Sequence, residues 1–536
     1  MRCCSTGSRQ GALLDVFVVL LLWGFWLAFV WRLTAGRRVV LWDTFRDMAW
    51  AENIRAGRIW SDPTHPGSSW WYPPGSALLN AILSHLTGWA VADLYGYSAM
   101  WLNGWLPVLL YLAVRQAADR TIALVTLGTV LIGSFTWLTH AAAAIPSFQG
   151  MAFNLLGLMC WQRCWRPGET HRGARPAWLL LTGLVLATGA WFHPLCASLL
   201  AGAILFHALL AGKPGQVLKT PRPRGQPIWT GALSIIGLGL LLSAPLAWHL
   251  LRLHTQSPEL ARFFADELLD PAYYAQASTP LVVPAGLAGV WIIVARRTEL
   301  LWTVGYLLIG LLGLAVGYFA QRPGCELPFL LPHEFLWHAQ LGLGICAAVA
   351  IVEAARRWAS HASEPARCRQ RYPLILAALV TATVAPGLRG SSQAGKYLID
   401  LEPLLAHTTE LRAWIGANAG LDDVFVCAPD VGYCVIAGLT GRKCVAVSPG
   451  HSNPALDIRA RHDDVRTMLD TDRPEVLEEL ARRYGARYLA LVTQPGDPRP
   501  VIPHRCASRP VLQTVFRARD GSAVVYRLNC YQATQP

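Results

Sequence analysis

Long apolar stretches recur from the start of the chain to about residue 390, and they constrain its fold more than any other feature. A helix crosses the hydrocarbon core of a bilayer with about 17–25 apolar residues. Eleven stretches approach this length: 12–34, 97–116, 121–139, 149–165, 177–193, 196–211, 229–251, 280–296, 300–320, 333–353 and 373–389. The composition agrees, since 53% of the residues are hydrophobic and only 15% are charged. We predict a multi-pass α-helical membrane protein.

The basic residues predict which loops face the cytoplasm. With the segment 74–91 outside the membrane, one set of alternate loops holds 19 basic residues, and the other set, before residue 390, holds eight. The positive-inside rule then places the N-terminus in the cytoplasm and both the 35–96 loop and the chain after 390 outside the plasma (inner) membrane. If 74–91 crossed the bilayer, every later loop would be inverted and the asymmetry lost. We therefore expect 74–91 to be a juxtamembrane helix. The net charge of +13 belongs largely to these loops, and no nucleic-acid partner is expected.

The first outer loop, 35–96, concentrates polar and aromatic side chains. These fall into three groups, namely Asp43 with Asp47, Asp62 with His65, and Trp71 with Tyr72. If 43–55 is helical, Asp43 and Asp47 share a face beside the end of the first span. Carboxylates beside aromatic surface suit a site that binds a sugar and removes a proton from a hydroxyl group. The alternative is a solvated loop whose acids pair with neighbouring arginines.

Later outer loops provide a second group of candidate residues. His193 ends the fifth predicted span, and Arg322, His333 and Glu334 lie at or just before the start of the tenth. A cation at the outer interface suits a lipid phosphate, which makes Arg322 and His333 candidates for phosphate binding. A proline-flanked histidine such as His193 also commonly caps a helix end, so a structural role stays open. The loop 252–279 carries an amphipathic run that either covers a bound lipid chain or packs as a surface helix.

From about residue 396 the apolar spans stop and charged residues become frequent. Helical patterns at 401–419, 457–469 and 474–484 alternate with strand patterns at 424–428, 443–447, 487–492, 511–517 and 523–528. This alternation predicts a C-terminal soluble α/β domain with a largely parallel sheet and a final hairpin. We place a transmembrane domain at 1–392 and this extracytoplasmic domain at 393–536. It lacks a glycine fingerprint and a P-loop, so no nucleotide site is expected. Its five cysteines allow one or two disulfides, whose pairing the spacing does not determine.

An acid directly follows the first span, and short motifs follow it in order. These are Asp43, a helix ending in glycine (Ala49 to Gly57), Asp62-Pro63, Trp71-Tyr72-Pro73-Pro74, Phe192-His193-Pro194 and Leu331-Pro332-His333-Glu334. With the terminal outer domain, this arrangement resembles the GT-C superfamily of membrane glycosyltransferases. That superfamily includes the protein O-mannosyltransferases, the aminoarabinose transferases and the mycobacterial arabinofuranosyltransferases. One feature departs from the pattern, because many members have adjacent acids after the first span, whereas Asp43 and Asp47 are four residues apart.

The resemblance implies a hexosyl- or pentosyltransferase that uses a polyprenyl-phosphate-linked sugar and a glycan, lipid or protein acceptor. A carboxylate would remove the acceptor's proton as its oxygen attacks the anomeric carbon opposite the phosphate, which inverts the configuration. Asp43 is the implied base and Asp47 the second catalytic candidate. The implied substrate-binding residues are Asp62, His65, Trp71, Tyr72, His193, Arg322, His333 and Glu334. Some members use a divalent cation and others do not, so Mg²⁺ or Mn²⁺ stays open as a cofactor.

Two alternatives belong to other functional classes. A transporter of lipid-linked glycans would need ionisable groups within its spans and paired broken helices, whereas most of these spans contain no charged residue. A non-catalytic membrane scaffold that presents the C-terminal domain is also compatible with the sequence.

Overall fold

The computed structural model describes residues 9–133, 145–165, 174–211, 228–254, 279–320, 332–361, 365–394, 398–497 and 499–529. The candidate Arg322 and nearly all of the 252–279 loop lie outside these ranges. The chain divides into two compact units. Unit 1 is Met1–Gly36, Ser98–Ala247 and Ala265–Tyr397, and unit 2 is Arg37–Tyr97, Trp248–Phe264 and Leu398–Pro536. This division differs from the predicted boundary at residue 392, because the first loop packs with the C-terminal segment.

The described α-helices of at least seven residues are given first and the described strands second, each in chain order. The helices are α1 (Arg9–Thr34), α2 (Thr44–Arg55), α3 (Gly75–Thr87), α4 (Val91–Trp101), α5 (Trp105–Ala117), α6 (Arg120–Leu127), α7 (Pro146–Trp165), α8 (Ala174–Phe192), α9 (Pro194–Ala211), α10 (Ile228–His254), α11 (Val282–Arg296), α12 (Leu301–Ala320), α13 (Pro332–Ser360), α14 (Pro365–Ala394), α15 (Leu401–His407), α16 (Thr409–Asn418), α17 (Ile458–Asp470) and α18 (Pro474–Tyr484). The strands are β1 (Val39–Val40), β2 (Ile399–Asp400), β3 (Val424–Val426), β4 (Lys443–Cys444), β5 (Ala486–Val492), β6 (Leu512–Arg517) and β7 (Ala523–Leu528).

Several helices are suited to a membrane. Within the described ranges, four are long and apolar enough to cross a bilayer: Gln10–Thr34, Ile228–Arg252, Thr298–Ala320 and Pro332–Ser360. The pair Gly75–Thr87 and Val91–Tyr97 would make a fifth if it is one broken span, but it is bent by 114°. These helices support the prediction of a membrane protein. The count of eleven spans is not confirmed, and the juxtamembrane position of 74–91 stays a prediction.

Two helices of unit 1 differ sharply in burial. Only 11% of the most apolar window of α1 is buried within the protein, and Leu13, Phe17 and Leu20 are exposed. In contrast, 94% of the corresponding window of α13 is buried. An apolar helix that exposes such side chains needs an apolar surrounding. Helix α1 therefore has the surface of a lipid-facing helix, whereas α13 lies at the centre of unit 1.

Close packing between α11 and α13 depends on a glycine. A Cβ atom placed on Gly289 would lie 1.8 Å from the Cys346 carbonyl oxygen. Small residues allow membrane helices to approach this closely. We expect Gly289→Ala to destabilise unit 1 by about 1–3 kcal/mol, because the helices must separate. The matched control is Gly237→Ala on α10, where no described atom beyond the glycine's own stretch of helix lies within 4 Å of the added Cβ. Melting temperatures in detergent test this, and equal values for the two variants would contradict the packing.

Ion pairs join the helix ends of unit 1 at positions predicted to be cytoplasmic. Asp15 accepts hydrogen bonds from Arg115 and Arg120, with Arg120 Nε at 2.9 Å. Two further pairs, Arg356 with Asp119 and Arg297 with Glu353, each measure 2.7 Å between their closest atoms. All of these residues lie near helix ends that the distribution of basic residues assigns to the cytoplasmic side of the membrane. The pairs agree with that assignment, and the side itself stays a prediction.

Unit 2 contains a mixed sheet rather than the largely parallel one predicted. Among the described residues its five strands have the order β4-β3-β5-β7-β6. The pairs β3–β4 and β3–β5 are parallel, whereas β5–β7 and β6–β7 are antiparallel. The final hairpin is as predicted, and it occupies the sheet edge where antiparallel pairing is natural for a short connection. Val426, Met468 and Leu477 pack in the core beside the sheet.

The first loop and the C-terminal segment are joined within unit 2. Strand β1 pairs antiparallel with β2, which brings Val39 opposite Asp400. Arg38 binds Glu402 through two nitrogens at 2.7 and 2.5 Å and donates to Asp93 at 2.6 Å. A two-pronged guanidinium–carboxylate contact fixes orientation as well as distance. These contacts hold the start of the first loop in a defined position.

Candidate functional site

Asp43 lies in unit 2 at the N-terminus of α2, nine residues after the end of α1. Its side chain is 51% exposed, and it makes no capping hydrogen bond to the helix. An aspartate at this position usually caps the helix by accepting from a backbone N–H. The carboxylate is therefore turned away from the backbone and is accessible from outside the protein, as a base that meets a substrate must be.

Arg46 and Asp47 form a buried ion pair behind Asp43. Arg46 Nε lies 2.9 Å from Asp47 Oδ1, and their side chains are only 6% and 2% exposed. The guanidinium stacks on Tyr72 at 3.6 Å from the ring centroid, and the Trp71 centroid is at 5.8 Å. Burial disfavours the charge of Arg46, but Asp47 holds its pKa well above the usual value. Asp43 at the N-cap and Asp47 in the first turn of α2 thus differ in environment, one exposed and one paired.

The C-terminal segment contributes two rings beside Asp43, which sequence reasoning missed. Tyr433 belongs to a π-helical segment, Gly432–Gly438, and its hydroxyl donates to the Trp42 carbonyl at 2.9 Å and accepts from the Arg46 backbone N–H at 3.2 Å. His451 stacks on Tyr433 with centroids 4.7 Å apart, and its Nδ1 lies 3.5 Å from Asp43 Oδ1. Burial lowers the pKa of His451 to about 4, although Asp43 opposes this, so the ring is neutral near pH 7.

Asp62 and His65 hold the first loop against the C-terminal segment. The buried Asp62 carboxylate accepts from the Thr64 and His65 backbone N–H groups at 2.7 and 2.9 Å, and from the Asn453 amide at 2.6 Å. His65 Nδ1 lies 3.2 Å from the Cys444 carbonyl oxygen. These contacts are structural in character. Substrate binding by Asp62 and His65 stays a prediction.

Lys443 reinforces the same junction within unit 2. Its ammonium donates to the Asn53 side-chain oxygen at 2.9 Å and to the Asp62 carbonyl, while the Asn53 amide donates to the Gly441 carbonyl at 3.1 Å. Burial lowers the pKa of Lys443 to about 8, although Asp62 opposes the shift. The C-terminal end of helix α2, which is opposite the end that carries Asp43, is therefore attached to the C-terminal segment.

The burial of His65 makes unit 2 sensitive to acid. Burial lowers the pKa of His65 below its usual value, so the unfolded chain takes up a proton that the folded state resists. Folding stability is therefore lost as the pH falls below about 6.5. We expect His65→Asn to weaken this loss, because its amide nitrogen lies near the position of Nδ1 and can still donate to the Cys444 carbonyl, but it does not titrate. Melting temperatures at pH 7.5 and 5.5 test it, and an unchanged pH dependence in the variant would contradict it.

The later candidates lie in unit 1. His193 Nε2 is 3.2 Å from Glu334 Oε1, so two of the predicted substrate-binding residues contact each other, a pairing that the sequence did not indicate. His333 packs edge-on against Trp337 with centroids 5.2 Å apart. Arg322 lies outside the described residues. Binding of substrate by these side chains stays a prediction.

A buried polar chain in unit 1 was not predicted. With its hydrogen on Nε2, His338 accepts from the Tyr306 hydroxyl at 2.5 Å and faces the Cys196 sulfur at 3.5 Å, and the Asn154 amide donates to Tyr306 at 2.9 Å. One available signal was spacing, because His338 follows Glu334 by four residues and so shares its helix face. Tyr306, Asn154 and Cys196 lie on three other helices, and no spacing along the chain relates them.

The described residues do not fit a divalent cation. No three His, Cys, Asp or Glu side chains within the described part of the chain are grouped so that they could hold a metal ion. Of the acids in the first loop, Asp47 pairs with Arg46 and Asp62 accepts hydrogen bonds from three residues. The steps proposed below therefore use only side chains of this chain.

Comparison with solved structures identifies the fold. The structure is similar to Archaeoglobus fulgidus oligosaccharyltransferase AglB in complex with an inhibitory peptide and a dolichol-phosphate (TM-score 0.56, 12% identity, covering 90% of this chain and 70% of that one). It is similar to the arabinofuranosyltransferase AftD from Mycobacteria (TM-score 0.59, 16% identity, covering 98% and 40%). It is also similar to ArnT from Cupriavidus metallidurans bound to undecaprenyl phosphate (TM-score 0.53, 14% identity, covering 99% and 100%).

No protein-family model matches the chain, and no curated protein sequence matches it. The three similar structures are GT-C glycosyltransferases, which confirms the resemblance predicted from the first outer loop. The identities are low, so the likeness concerns the fold. This chain has the fold of the GT-C membrane glycosyltransferases.

Proposed function

We propose that the protein is a membrane glycosyltransferase that moves a sugar from a polyprenyl-phosphate donor to an acceptor hydroxyl on the extracytoplasmic side. The observation that carries the proposal is the exposed, uncapped Asp43 carboxylate, directly after the first apolar helix, in a chain with the GT-C fold. Similar solved structures contain a dolichol-phosphate or undecaprenyl phosphate, which supports a lipid-linked donor. Nucleotide sugars do not exist outside the cytoplasmic membrane, so a lipid carrier suits that side.

Asp43 acts as the general base in the proposed reaction. The acceptor hydroxyl gives its proton to the carboxylate as its oxygen bonds to the anomeric carbon. The bond from that carbon to the phosphate oxygen breaks, and its electron pair leaves with polyprenyl phosphate. Attack from the face opposite the phosphate inverts the anomeric configuration. A positioned general base contributes about 10²–10⁴ in rate.

Asp47 has a supporting role in this proposal. Its carboxylate is committed to Arg46, whose guanidinium stacks on Tyr72. The pair holds the first turn of α2 and the aromatic surface of Tyr72 together. Tyr72 is half-buried, and we propose that its ring contacts the apolar face of a sugar on the side that Arg46 leaves open.

The leaving phosphate needs positive charge as it develops its second negative charge. Arg322 and His333 remain the proposed source, because both precede or begin α13 at a predicted outer interface. Arg46 is a poor candidate, since Asp47 already neutralises it.

The test is turnover by the full-length protein in detergent or nanodiscs. Lipid-linked sugars extracted from membranes of the source cell are incubated with the protein, and mass spectrometry follows free polyprenyl phosphate and the acceptor product. Lipids and glycans that copurify with the protein identify the donor, and NMR of the product gives the anomeric configuration. We expect release of polyprenyl phosphate and an inverted product. Lipid binding without release would instead support a scaffold or a transporter.

A further inference from the structure

We propose that His451 is a positioning residue of the active site, in which its neutral ring directs an N–H toward the Asp43 carboxylate. This inference rests on the proposed function of Asp43 as the base. It assigns part of the catalytic machinery to the C-terminal segment, because His451 comes about 400 residues after Asp43 in the chain.

The geometry at His451 supports this role. Its Nδ1 atom is buried and, among the described residues, has no hydrogen-bond partner, yet it lies 3.5 Å from Asp43 Oδ1. A buried polar atom without a partner is costly, so the Nδ1 atom needs an explanation, and a hydrogen on Nδ1 that is donated to Asp43 provides one. Hydrogen bonds at catalytic groups are often long in the absence of substrate and shorten in the complex. A small movement of the Asp43 side chain would complete this one.

The ring of His451 is also held in place. It stacks on Tyr433 with only 6° between the ring planes, and its backbone N–H donates to the Ser448 carbonyl at 3.0 Å. Tyr433 is itself fixed, since its hydroxyl bonds to backbone groups of Trp42 and Arg46 on either side of Asp43. A group can orient a carboxylate only if its own position is fixed, and these contacts provide that.

The charge state of the His451 ring also suits this role. The charged and titratable groups that face His451 are Asp43 and Arg46 from the first loop and Tyr433 from the C-terminal segment. Arg46 and burial both oppose an imidazolium there. A neutral ring orients Asp43 without neutralising it, so the carboxylate keeps its ability to accept a proton. During the reaction the acceptor's proton moves to Asp43, and His451 retains its own.

The experiment compares two substitutions in the full-length protein. His451→Phe keeps a flat ring to stack on Tyr433 but has no donor, whereas His451→Asn keeps an N–H near the position of Nδ1. We expect His451→Phe to lower kcat by about 10- to 100-fold at an unchanged KM for the acceptor, as misorientation of a catalytic group does. His451→Asn should restore most of the lost kcat, which a merely structural role of the ring would not require.

The matched control is His407→Phe. His407 also lies in the C-terminal segment and contacts a backbone carbonyl, that of Thr493 at 2.9 Å. Melting temperatures of all variants separate lost folding from lost positioning. A His451→Phe protein with wild-type kcat overturns the proposal, as does a His451→Asn protein as impaired as His451→Phe. In either case an inactive Asp43→Asn variant would leave the proposed function standing, whereas a wild-type protein that releases no polyprenyl phosphate would overturn the function itself.

Discussion

Replacing Asp43 by asparagine is expected to abolish sugar transfer while leaving the protein folded. The amide has nearly the size of the carboxylate, but it cannot take the acceptor's proton. Loss of a general base typically costs about 10²–10⁴ in rate. Since the Asp43 side chain is half-exposed and makes no capping hydrogen bond, little folding stability depends on it. Release of polyprenyl phosphate measures the loss.

Donor binding separates chemistry from affinity in this variant. We expect the donor to raise the melting temperature of Asp43→Asn as much as that of the wild type, because the base acts on the acceptor's hydroxyl. The comparison includes Asp62→Asn as a second amide substitution in the same loop. Near-normal turnover by Asp43→Asn would contradict its assignment as base. Near-normal turnover by the Asn variants of Asp43, Asp47 and Asp62 alike would remove the reason to place an active site in this loop.

Asp47→Asn is expected to have the opposite phenotype, with stability as the main loss. The substitution leaves the Arg46 guanidinium buried without its counter-charge, and an arginine cannot escape by losing its proton. Removal of one partner of a buried ion pair costs about 3–5 kcal/mol of folding free energy. The measurement is the melting temperature in detergent, together with the yield of monodisperse protein.

The double variant Arg46→Met, Asp47→Leu is the control for this pair. Apolar side chains of similar length can replace a buried ion pair with little loss, because no charge remains to be desolvated. We therefore expect the double variant to melt closer to the wild type than Asp47→Asn does. If Asp47→Asn melted at the wild-type temperature, the pair would not be buried and committed as described. The two acids at the start of α2 are thus distinguished by what each loses, activity for Asp43 and stability for Asp47.

Local patterns in the sequence were enough to predict the type of protein and much of its secondary structure. The apolar stretches indicate a membrane protein, because a bilayer requires long apolar helices regardless of what surrounds them. The predicted strands and helices after residue 400 agree with β3 to β7 and α15 to α18 to within a few residues. A helix over 43–55 was considered from the sequence, and α2 (Thr44–Arg55) begins directly after Asp43, because helix formation depends largely on local geometry.

Tertiary structure alone decided which side chains meet. The C-terminal segment was predicted as a domain of its own, and its β2, Tyr433 and His451 contact the first loop. Contacts between residues about 400 positions apart leave no local signal in the sequence. Position after the first span and the GT-C resemblance ranked Asp43 above Asp47, but they could not show that one is exposed and the other buried, because burial and the pairing of Asp47 with Arg46 depend on what packs over the helix. The mixed sheet has the same origin, since strand direction is set by where each connection returns. Sequence determined the helices, the strands and the candidate base, and folding determined the environment that leaves the Asp43 carboxylate exposed and pairs the Asp47 carboxylate with Arg46.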